Sequence, residues 1–155
     1  WTHPDVRRYL FDDVAITRAQ AAETIDDTRR AAARGLGLWT VREGAADAPI
    51  VGCAGLLPVS TAAEYEPRLA GLVEPLVALH PSAWGRGLAT EALGALVGHA
   101  FDALALPRLA GVTDVPNAAS DRMLRRAGFV PLGECDGPRY RMRTYLLERP
   151  PAPDP

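Results

Sequence analysis

The stretch from residue 69 to residue 104 limits the fold more than any other part of the sequence. It begins with the apolar segment LAGLVEPLVALH, which we interpret as a strand, and continues through a turn that contains glycine. From Leu88 to about Leu104 the apolar residues then recur at helical spacing. Pro75 lacks an N–H group, so the strand needs a bulge or an unpaired edge at that position. The fold must therefore contain a strand, a turn and a helix in direct succession.

The other segments add further strands and helices to this unit. Thr17 and Gln20 form a capping-box pattern, which predicts the start of a helix that ends at Gly35. The remaining predictions are a short helix at 5–10, a hairpin of strands at 36–43 and 50–59, a strand at 108–115, a helix at 118–128 and strands at 129–134 and 139–148. Helices alternate with strands only in the second half, which predicts an α/β fold with a mixed sheet, part antiparallel and part parallel.

The composition excludes several classes of protein. A formal net charge of -2 argues against a nucleic-acid partner. All 17 basic residues are arginine, so a P-loop lysine and a Schiff-base lysine are both excluded. The two cysteines and three histidines lack the spacing of a metal site or a disulfide framework, which favours a metal-free protein in a reducing cytoplasm. No apolar run reaches the ~18 residues of a membrane helix, so no membrane partner is expected.

The two ends of the chain bear on the limits of the domain. The first residue is Trp1 rather than Met, which predicts that the native N-terminus lies upstream. Residues 150–155 form a proline-rich tail that can join neither a helix nor a sheet. The length suits a single domain, which we place at residues 1–149.

The turn before the long helix has the composition of an anion site. Helix N-termini offer free N–H groups and the positive end of the helix dipole, and glycine lets an anion approach the backbone. Gly85 and Gly87 flank the turn, and Arg86 adds a cation. A dinucleotide fingerprint fits poorly, because Leu88, Ala89 and Thr90 stand where its third glycine belongs. From spacing alone, a glycine-containing turn without any ligand is equally consistent with the pattern.

A second motif makes the turn more specific. WGRGLATEA is followed, some thirty positions on, by NAASDRMLRRAGFV, and the two together resemble the GNAT superfamily of acetyl-CoA-dependent N-acetyltransferases. The first matches the Gln/Arg-x-x-Gly-x-Gly/Ala loop of that superfamily, with Trp84 in the Gln/Arg position, and the second matches its Asn-x-x-Ser…Gly-Phe block. The resemblance is greatest to the branch of ribosomal-protein N-terminal acetyltransferases and covers residues 36–147. It implies the GNAT fold, with the first strand of that fold missing or trimmed here.

The resemblance also implies where coenzyme A binds. Its pyrophosphate would be held by the backbone N–H groups of Gly85, Arg86, Gly87, Leu88, Ala89 and Thr90. The pantetheine arm would lie along a splayed strand as an added strand does, on Leu76, Val77, Ala78 and Leu79. Asn117 would hydrogen-bond the pantetheine amide. Helix capping is the alternative role for Asn117 and Ser120, because both residue types favour helix starts.

The implied chemistry is direct attack of an amine on the thioester. A backbone N–H at Leu76 or Val77 would stabilise the oxyanion, and Ser120 would protonate the leaving thiolate. Glu74 would accept the proton of the amine, directly or through water, if burial raises its pKa. Its alternative role is to orient the amine or to form a salt bridge. Tyr145 is a second candidate acid, although a tyrosine on a final strand is more often a core residue.

These expectations define an enzyme but not its acceptor. We predict transfer of acetyl from acetyl-CoA to an amine, either a peptide N-terminus or a small molecule, by a bacterial, cytoplasmic monomer or homodimer. A non-catalytic acyl-CoA-binding or interaction domain on the same fold is the alternative. Arg139, Arg141 and Arg143 alternate along the last strand, where they form a solvated face or attract an acidic acceptor or a phosphate.

Overall fold

The computed structural model describes residues 1–151, so most of the predicted proline-rich tail lies outside the described residues. The helices are α1 Pro4–Arg7, α2 Arg18–Ala31, α3 Thr61–Tyr65, α4 Leu88–Gly98 and α5 Ala118–Arg126. The strands are β1 Gly37–Arg42, β2 Ile50–Pro58, β3 Val73–Leu79, β4 Arg108–Asp114, β5 Val130–Cys135 and β6 Met142–Glu148. Within the described residues, no helix is long and apolar enough to cross a membrane.

Helix α2 begins and ends where the sequence predicts. The Thr17 hydroxyl accepts from the Gln20 N–H at 3.2 Å, and the Gln20 side chain accepts from the Thr17 N–H at 2.8 Å. This reciprocal pair is the predicted capping box. A 3₁₀ turn, Ala32–Arg34, tightens the end of the helix, and Gly35 closes it with a φ of 70°.

The strands form two separate antiparallel sheets. The first has the order β1–β2–β3 and the second the order β4–β6–β5. Every pair recorded among residues 1–151 is antiparallel, and no hydrogen-bonded ladder in that part of the chain joins β3 to its neighbour β4. The continuous mixed sheet expected from the order of elements is therefore divided between β3 and β4.

One edge of β3 is bound to β2, and the pattern of that ladder can be worked out from its ends. Val59 N–H donates to Leu72 O at 2.9 Å, and His80 N–H donates to Val51 O at 2.8 Å. Both pairs continue the register between β2 and β3. Hydrogen-bonded and non-bonded pairs alternate in an antiparallel ladder. The even-numbered residues of β3 therefore bond to β2, and the odd-numbered residues direct their N–H and C=O groups away from it.

This alternation accommodates Pro75 without a bulge. Pro75 lies opposite Leu56, and the register is continuous on both sides of it. Because Pro75 is odd-numbered, the N–H that it lacks would have pointed to the open edge, where no ladder forms. Of the two alternatives stated for Pro75, the structure has the unpaired edge.

The core lies between the sheets and the helices α4 and α5. Leu93 of α4 and Leu124 of α5 pack with Leu56, Leu109, Phe129 and Tyr145, all of them buried. A second cluster contains Leu69, which is fully buried. The segment between β2 and β3 contains α3 and a 3₁₀ turn, Pro67–Leu69, neither of which was predicted from the sequence. Ala62 and Leu69 anchor these two elements because both side chains are buried.

Leu56 at the centre of β2 is expected to dominate the stability of the first sheet. Its side chain is fully buried, so Leu56→Ala should lower the free energy of unfolding by about 2–5 kcal/mol. Ile50→Ala, at the exposed start of the same strand, should cost less than about 1 kcal/mol. Urea unfolding of both variants checks this, and equal losses would contradict the assigned core.

Candidate active site

A cavity of about 460 Å³ lies in the gap between β3 and β4. Its walls come from both strands, from the start of α5 and from the segment that follows α1. Five of the residues predicted from the sequence line it together, namely Glu74, Leu76, Val77, Asn117 and Ser120. The missing ladder between the two sheets creates the space that brings these residues to one place.

Glu74 is the titratable group at the centre of this arrangement. Its side chain is half-buried, and within residues 1–151 it has neither a hydrogen-bond partner nor an ion-pair partner. Burial disfavours the charged form and raises the pKa of the Glu74 carboxyl from 4.5 to about 7. Because no cation offsets this effect, Glu74 can take up and release a proton near neutral pH. The salt bridge considered as its alternative role is not found in the described part of the chain.

The odd–even pattern of β3 distinguishes Val77 from its neighbours. The Val77 N–H points to the open edge, whereas those of Leu76 and Ala78 point to β2. The Leu79 N–H also faces the open edge, but the Leu79 carbonyl accepts from Trp84 Nε1 at 2.8 Å. Of the four residues expected along the pantetheine arm, only Val77 and Leu79 have backbone N–H groups free on that side.

Asn117 and Ser120 stand at the start of α5. Asn117 Oδ1 accepts from the Ser120 N–H at 3.2 Å, so Asn117 caps the helix. Helix capping was the alternative role considered for this residue. Capping occupies only the amide oxygen, and the NH₂ group of Asn117 is left to donate to a ligand. Both residues are half-buried and line the cavity. The two roles considered for Asn117 are therefore compatible.

The glycine turn lies beyond the other end of β3, outside the cavity. Gly85 and Gly87 have φ angles of 72° and 82°, and within residues 1–151 no atom beyond the adjacent residues lies within 4 Å of where a Cβ would stand on either residue. Gly87 is the N-cap of α4 and provides no side-chain cap, so the first N–H groups of that helix have no partner of their own. Arg86 forms an ion pair with Glu43. The turn is an open cradle of backbone donors at a helix N-terminus.

Tyr145 is not part of the cavity. Its side chain is fully buried in the core, and its hydroxyl donates to Asp121. Burial and the hydrogen bond to Asp121 raise the pKa of Tyr145, which makes it a weaker acid than an exposed tyrosine. Its position corrects the suggestion that it could reach a leaving group.

The arginines near the last strand bind carboxylates of the same chain. Only Arg143 lies within β6, where it pairs with Asp121 at 2.9 Å and with Glu134 at 2.7 Å. Arg139 pairs with Asp13 at 3.0 Å, and Arg141 lies 3.7 Å from Glu134. These internal ion pairs account for the alternating charges.

The structure adds cavity residues that the sequence did not single out. Thr113 and Asp114, at the end of β4, line the cavity, and Tyr9 and Asp12 face it from the segment after α1. A polar pair at the end of an apolar strand, one residue before Pro116-Asn117, was a usable signal for Thr113 and Asp114. Asp12 gave no such signal, because its place depends on how the N-terminal segment packs against β4.

Comparison with known families identifies the family to which this chain belongs. The family model for the acetyltransferase (GNAT) domain matches residues 1–130, which is most of the chain. The chain therefore belongs to the GNAT acetyltransferase family, and the resemblance stated from the two motifs is confirmed. The matched region also includes the N-terminal helices, which those motifs did not cover.

Individual relatives are similar to this chain either in sequence or in fold. An uncharacterised N-acetyltransferase, YoaA, of Bacillus subtilis is 32% identical over 76 residues, which span 45% of this chain and 43% of that protein. A ribosomal-protein-alanine N-acetyltransferase from Brucella melitensis is 17% identical with a TM-score of 0.72, over 95% of this chain and 90% of that one. A spermidine N-acetyltransferase from Vibrio cholerae, solved with CoA and spermine, is 14% identical with a TM-score of 0.73, over 96% and 85%. These likenesses confirm the predicted GNAT fold.

The raised pKa of Glu74 has a consequence for stability that can be measured. Glu74 loses its proton near pH 4.5 in the unfolded chain but only near pH 7 in the folded chain. Ionisation of Glu74 therefore opposes folding increasingly between pH 4.5 and 7, and fully above pH 7. Glu74→Gln should therefore stabilise the protein at about pH 8, by up to about 3 kcal/mol. The gain should shrink as the pH falls from 7 and vanish below 4.5.

Urea unfolding at several pH values tests this prediction. Glu64→Gln, at an exposed position on α3, serves as the control and should change stability by less than about 0.5 kcal/mol throughout. A Glu74→Gln gain that is the same at low and high pH would mean that the Glu74 carboxylate is not desolvated.

Proposed function

We propose that the protein transfers acetyl from acetyl-CoA to an amine by direct attack on the thioester. One observation carries the proposal: an unpaired carboxylate, Glu74, and an unpaired backbone donor, the Val77 N–H, belong to the same strand and line the same cavity. A proton acceptor for the amine and a hydrogen-bond donor for the oxyanion are two of the groups that acyl transfer to an amine uses.

The residues on the coenzyme side fit a nucleotide thioester. The cradle at Gly85 and Gly87 leaves the space that phosphate oxygens need to reach the N–H groups of α4. Along β3, the Val77 carbonyl and the Leu79 N–H hold a pantetheine arm as an added strand. The NH₂ group of Asn117 donates to the same arm from the other side of the gap. The CoA bound in the spermidine N-acetyltransferase from Vibrio cholerae supports this class of co-substrate.

The catalytic roles follow from the groups in the cavity. Glu74 accepts a proton from the attacking amine, because a carboxyl with a pKa of about 7 is a far better base than an ordinary glutamate. The Val77 N–H stabilises the negative charge that develops on the thioester oxygen. The Ser120 hydroxyl protonates the departing thiolate. Tyr145 is left out, because its hydroxyl is bound to Asp121 in the core.

The acceptor is an amine of either class named at the outset. Of the two solved relatives with the same fold, one is a ribosomal-protein-alanine N-acetyltransferase and the other a spermidine N-acetyltransferase. A non-catalytic acyl-CoA-binding domain is the alternative function, but it leaves the unpaired Glu74 carboxylate without a use. Thiol release from acetyl-CoA, followed over a panel of peptides and small amines, separates the three possibilities.

Gly87 provides the sharpest test of coenzyme binding. Gly87→Leu puts a side chain into the cradle and should weaken acetyl-CoA binding by about 100-fold or more, measured by calorimetric titration. Gly44→Leu is the matched control, since Gly44 has a φ of 79° and the same open surroundings in the turn between β1 and β2. Both variants carry the same backbone strain. Equal loss of binding in both would contradict the cradle.

Glu74 and Ser120 should affect turnover rather than affinity. Glu74→Gln removes the proton acceptor and Ser120→Ala the proton donor, so each should lower kcat by about 100-fold, within the range of general acid–base catalysis. The Kd for acetyl-CoA should change by less than about twofold. Binding and steady-state kinetics are measured on the same preparations.

The pH profile separates catalysis by Glu74 from a purely orienting role. If Glu74 is the base, kcat/KM should rise with pH up to about 7, where the Glu74 carboxyl loses its proton. Above that pH, Glu74 should cause no further rise. Glu74→Gln should abolish that rise. A Glu74→Gln variant that keeps the wild-type profile at reduced rate would show that Glu74 only positions the acceptor.

A further inference from the structure

The first turn of α5 presents two of the candidate site residues and is held mainly by polar contacts. Asn117 and Ser120 line the cavity from this turn. Of residues 118–126, all of which the structure describes, only Leu124 is buried. Apolar packing therefore anchors the later part of α5, and the first turn needs another contact to hold its side chains in a defined direction.

Asp121, directly after Ser120, supplies that contact. Its carboxylate accepts from two side chains of β6, the Tyr145 hydroxyl and Arg143 Nη1, the latter at 2.9 Å. Arg125 Nε adds a third donor from the next turn of α5, at 3.1 Å. Hydrogen bonds from a cation to a carboxylate are among the stronger ones in proteins. Asp121 therefore ties the first turn of α5 to β6.

The two donors on β6 are themselves held in place. The Tyr145 side chain is fully buried in the close-packed core, so its hydroxyl has little freedom to move. Arg143 is bound on its other side to Glu134 of β5, at 2.7 Å. Asp121 is therefore attached to an ordered part of the second sheet and not to a free surface side chain.

The same donors keep Asp121 ionised. The hydrogen bond from Tyr145, and after it the one from Arg143, lower the pKa of Asp121 from 3.8 to about 2. Near neutral pH this contact does not titrate, whereas Glu74 has a pKa of about 7. Any effect of Asp121 on catalysis should therefore leave the pH dependence caused by Glu74 unchanged.

The rotation of α5 about its own axis links Asp121 to Ser120. Successive residues of an α-helix are separated by about 100° around that axis. Ser120 therefore faces the cavity while Asp121 faces β6, and turning the helix would move both side chains. The effect on rate can be large, because a misplacement of about 1 Å can cost an enzyme about 100-fold.

We propose that Asp121 is a positioning residue: its contacts with β6 fix the rotation of α5 and so direct the Ser120 hydroxyl into the cavity. The inference rests on the proposed function, because Asp121 acts on acyl transfer only through the proton that Ser120 donates to the thiolate. No bond forms or breaks at Asp121. Tyr145 contributes from the core as a fixed donor to Asp121, and not as an acid.

Substitution of Asp121 tests this role. Asp121→Ala removes the acceptor but keeps a residue that favours a helix, and it should lower kcat by about tenfold because Ser120 is misplaced. Asp121→Asn keeps one oxygen that can accept from Tyr145 and Arg143, so it should lower kcat by less than about threefold. Arg122→Ala, at the exposed next position of the same helix, is the control and should keep the wild-type kcat.

The affinity for acetyl-CoA distinguishes positioning from a general loss of structure. The backbone of Asn117 is fixed independently of Asp121, since its N–H donates to Asp114 O at 2.8 Å. Asp121→Ala should therefore change the Kd for acetyl-CoA by less than about threefold, measured by calorimetric titration. A Kd that rises as much as kcat falls would show that Asp121 only holds the fold together, and would overturn the inference.

A double-mutant cycle shows whether the effect passes through Ser120. Thiol release with the best amine or peptide of the panel gives kcat for the wild type, Asp121→Ala, Ser120→Ala and the double variant. The Asp121→Ala substitution should cost about tenfold in the wild-type background but less than about twofold in the Ser120→Ala background. A purely structural contact would cost the same in both.

The outcomes separate the inference from the proposed function. Equal losses in the two backgrounds, or a wild-type kcat in Asp121→Ala, overturn the positioning role and leave acetyl transfer in place. A wild-type kcat in Ser120→Ala refutes the proton donation assigned to Ser120, and the inference with it. Binding of acetyl-CoA with no thiol release for any amine or peptide refutes the proposed function itself.

Discussion

The absence of a ladder between β3 and β4 is the constraint on which the site depends. Two three-stranded sheets meet at this point, and each brings an edge whose backbone groups have no partner in the other. Unpaired backbone groups inside a protein are unfavourable unless water or a ligand satisfies them. The unpaired edge of β3 therefore lowers stability. It also allows an extended ligand to form hydrogen bonds along β3 as a neighbouring strand would.

The charges in the gap oppose folding in the same way. Glu74 and Asp114 hold their protons more tightly than exposed carboxyls because burial disfavours their ionised forms. Stability for this arrangement must come from elsewhere, and the core formed by α4, α5 and the two sheets provides it. Binding and catalytic sites commonly contain groups that lower the stability of the protein but are needed for its function.

Local patterns in the sequence were sufficient for part of this picture. The capping box at Thr17, the glycine turn and the Asn-x-x-Ser motif each involve neighbours in sequence, and each lies where it was predicted. The division into two sheets was not predictable in that way, because it depends on which strand edges meet in space. The same holds for α3, a five-residue helix in which Ala62 is buried.

The residues that the sequence left undecided were decided by long-range geometry. Leu76 and Val77 are equivalent as neighbours in a strand, and only the register against β2 shows which N–H faces the gap. Asp12 became recognisable only through the cavity that it lines. Functional side chains that belong to a sequence motif can be predicted from neighbouring residues. Functional groups that depend on burial, or on which strand edge an N–H faces, can be assigned only from the folded structure.

The alternating direction of the N–H groups along β3 also determines which sequence changes such a protein can tolerate during evolution. The proposed oxyanion donor and the proposed pantetheine contacts are main-chain groups, so no side-chain replacement at Val77 or Leu79 would remove them. What must be preserved is the count of residues between Pro75 and the turn, because a single insertion would rotate every N–H to the wrong edge. Selection then acts on strand length more than on residue identity, which suits a fold shared by relatives at 14–17% identity.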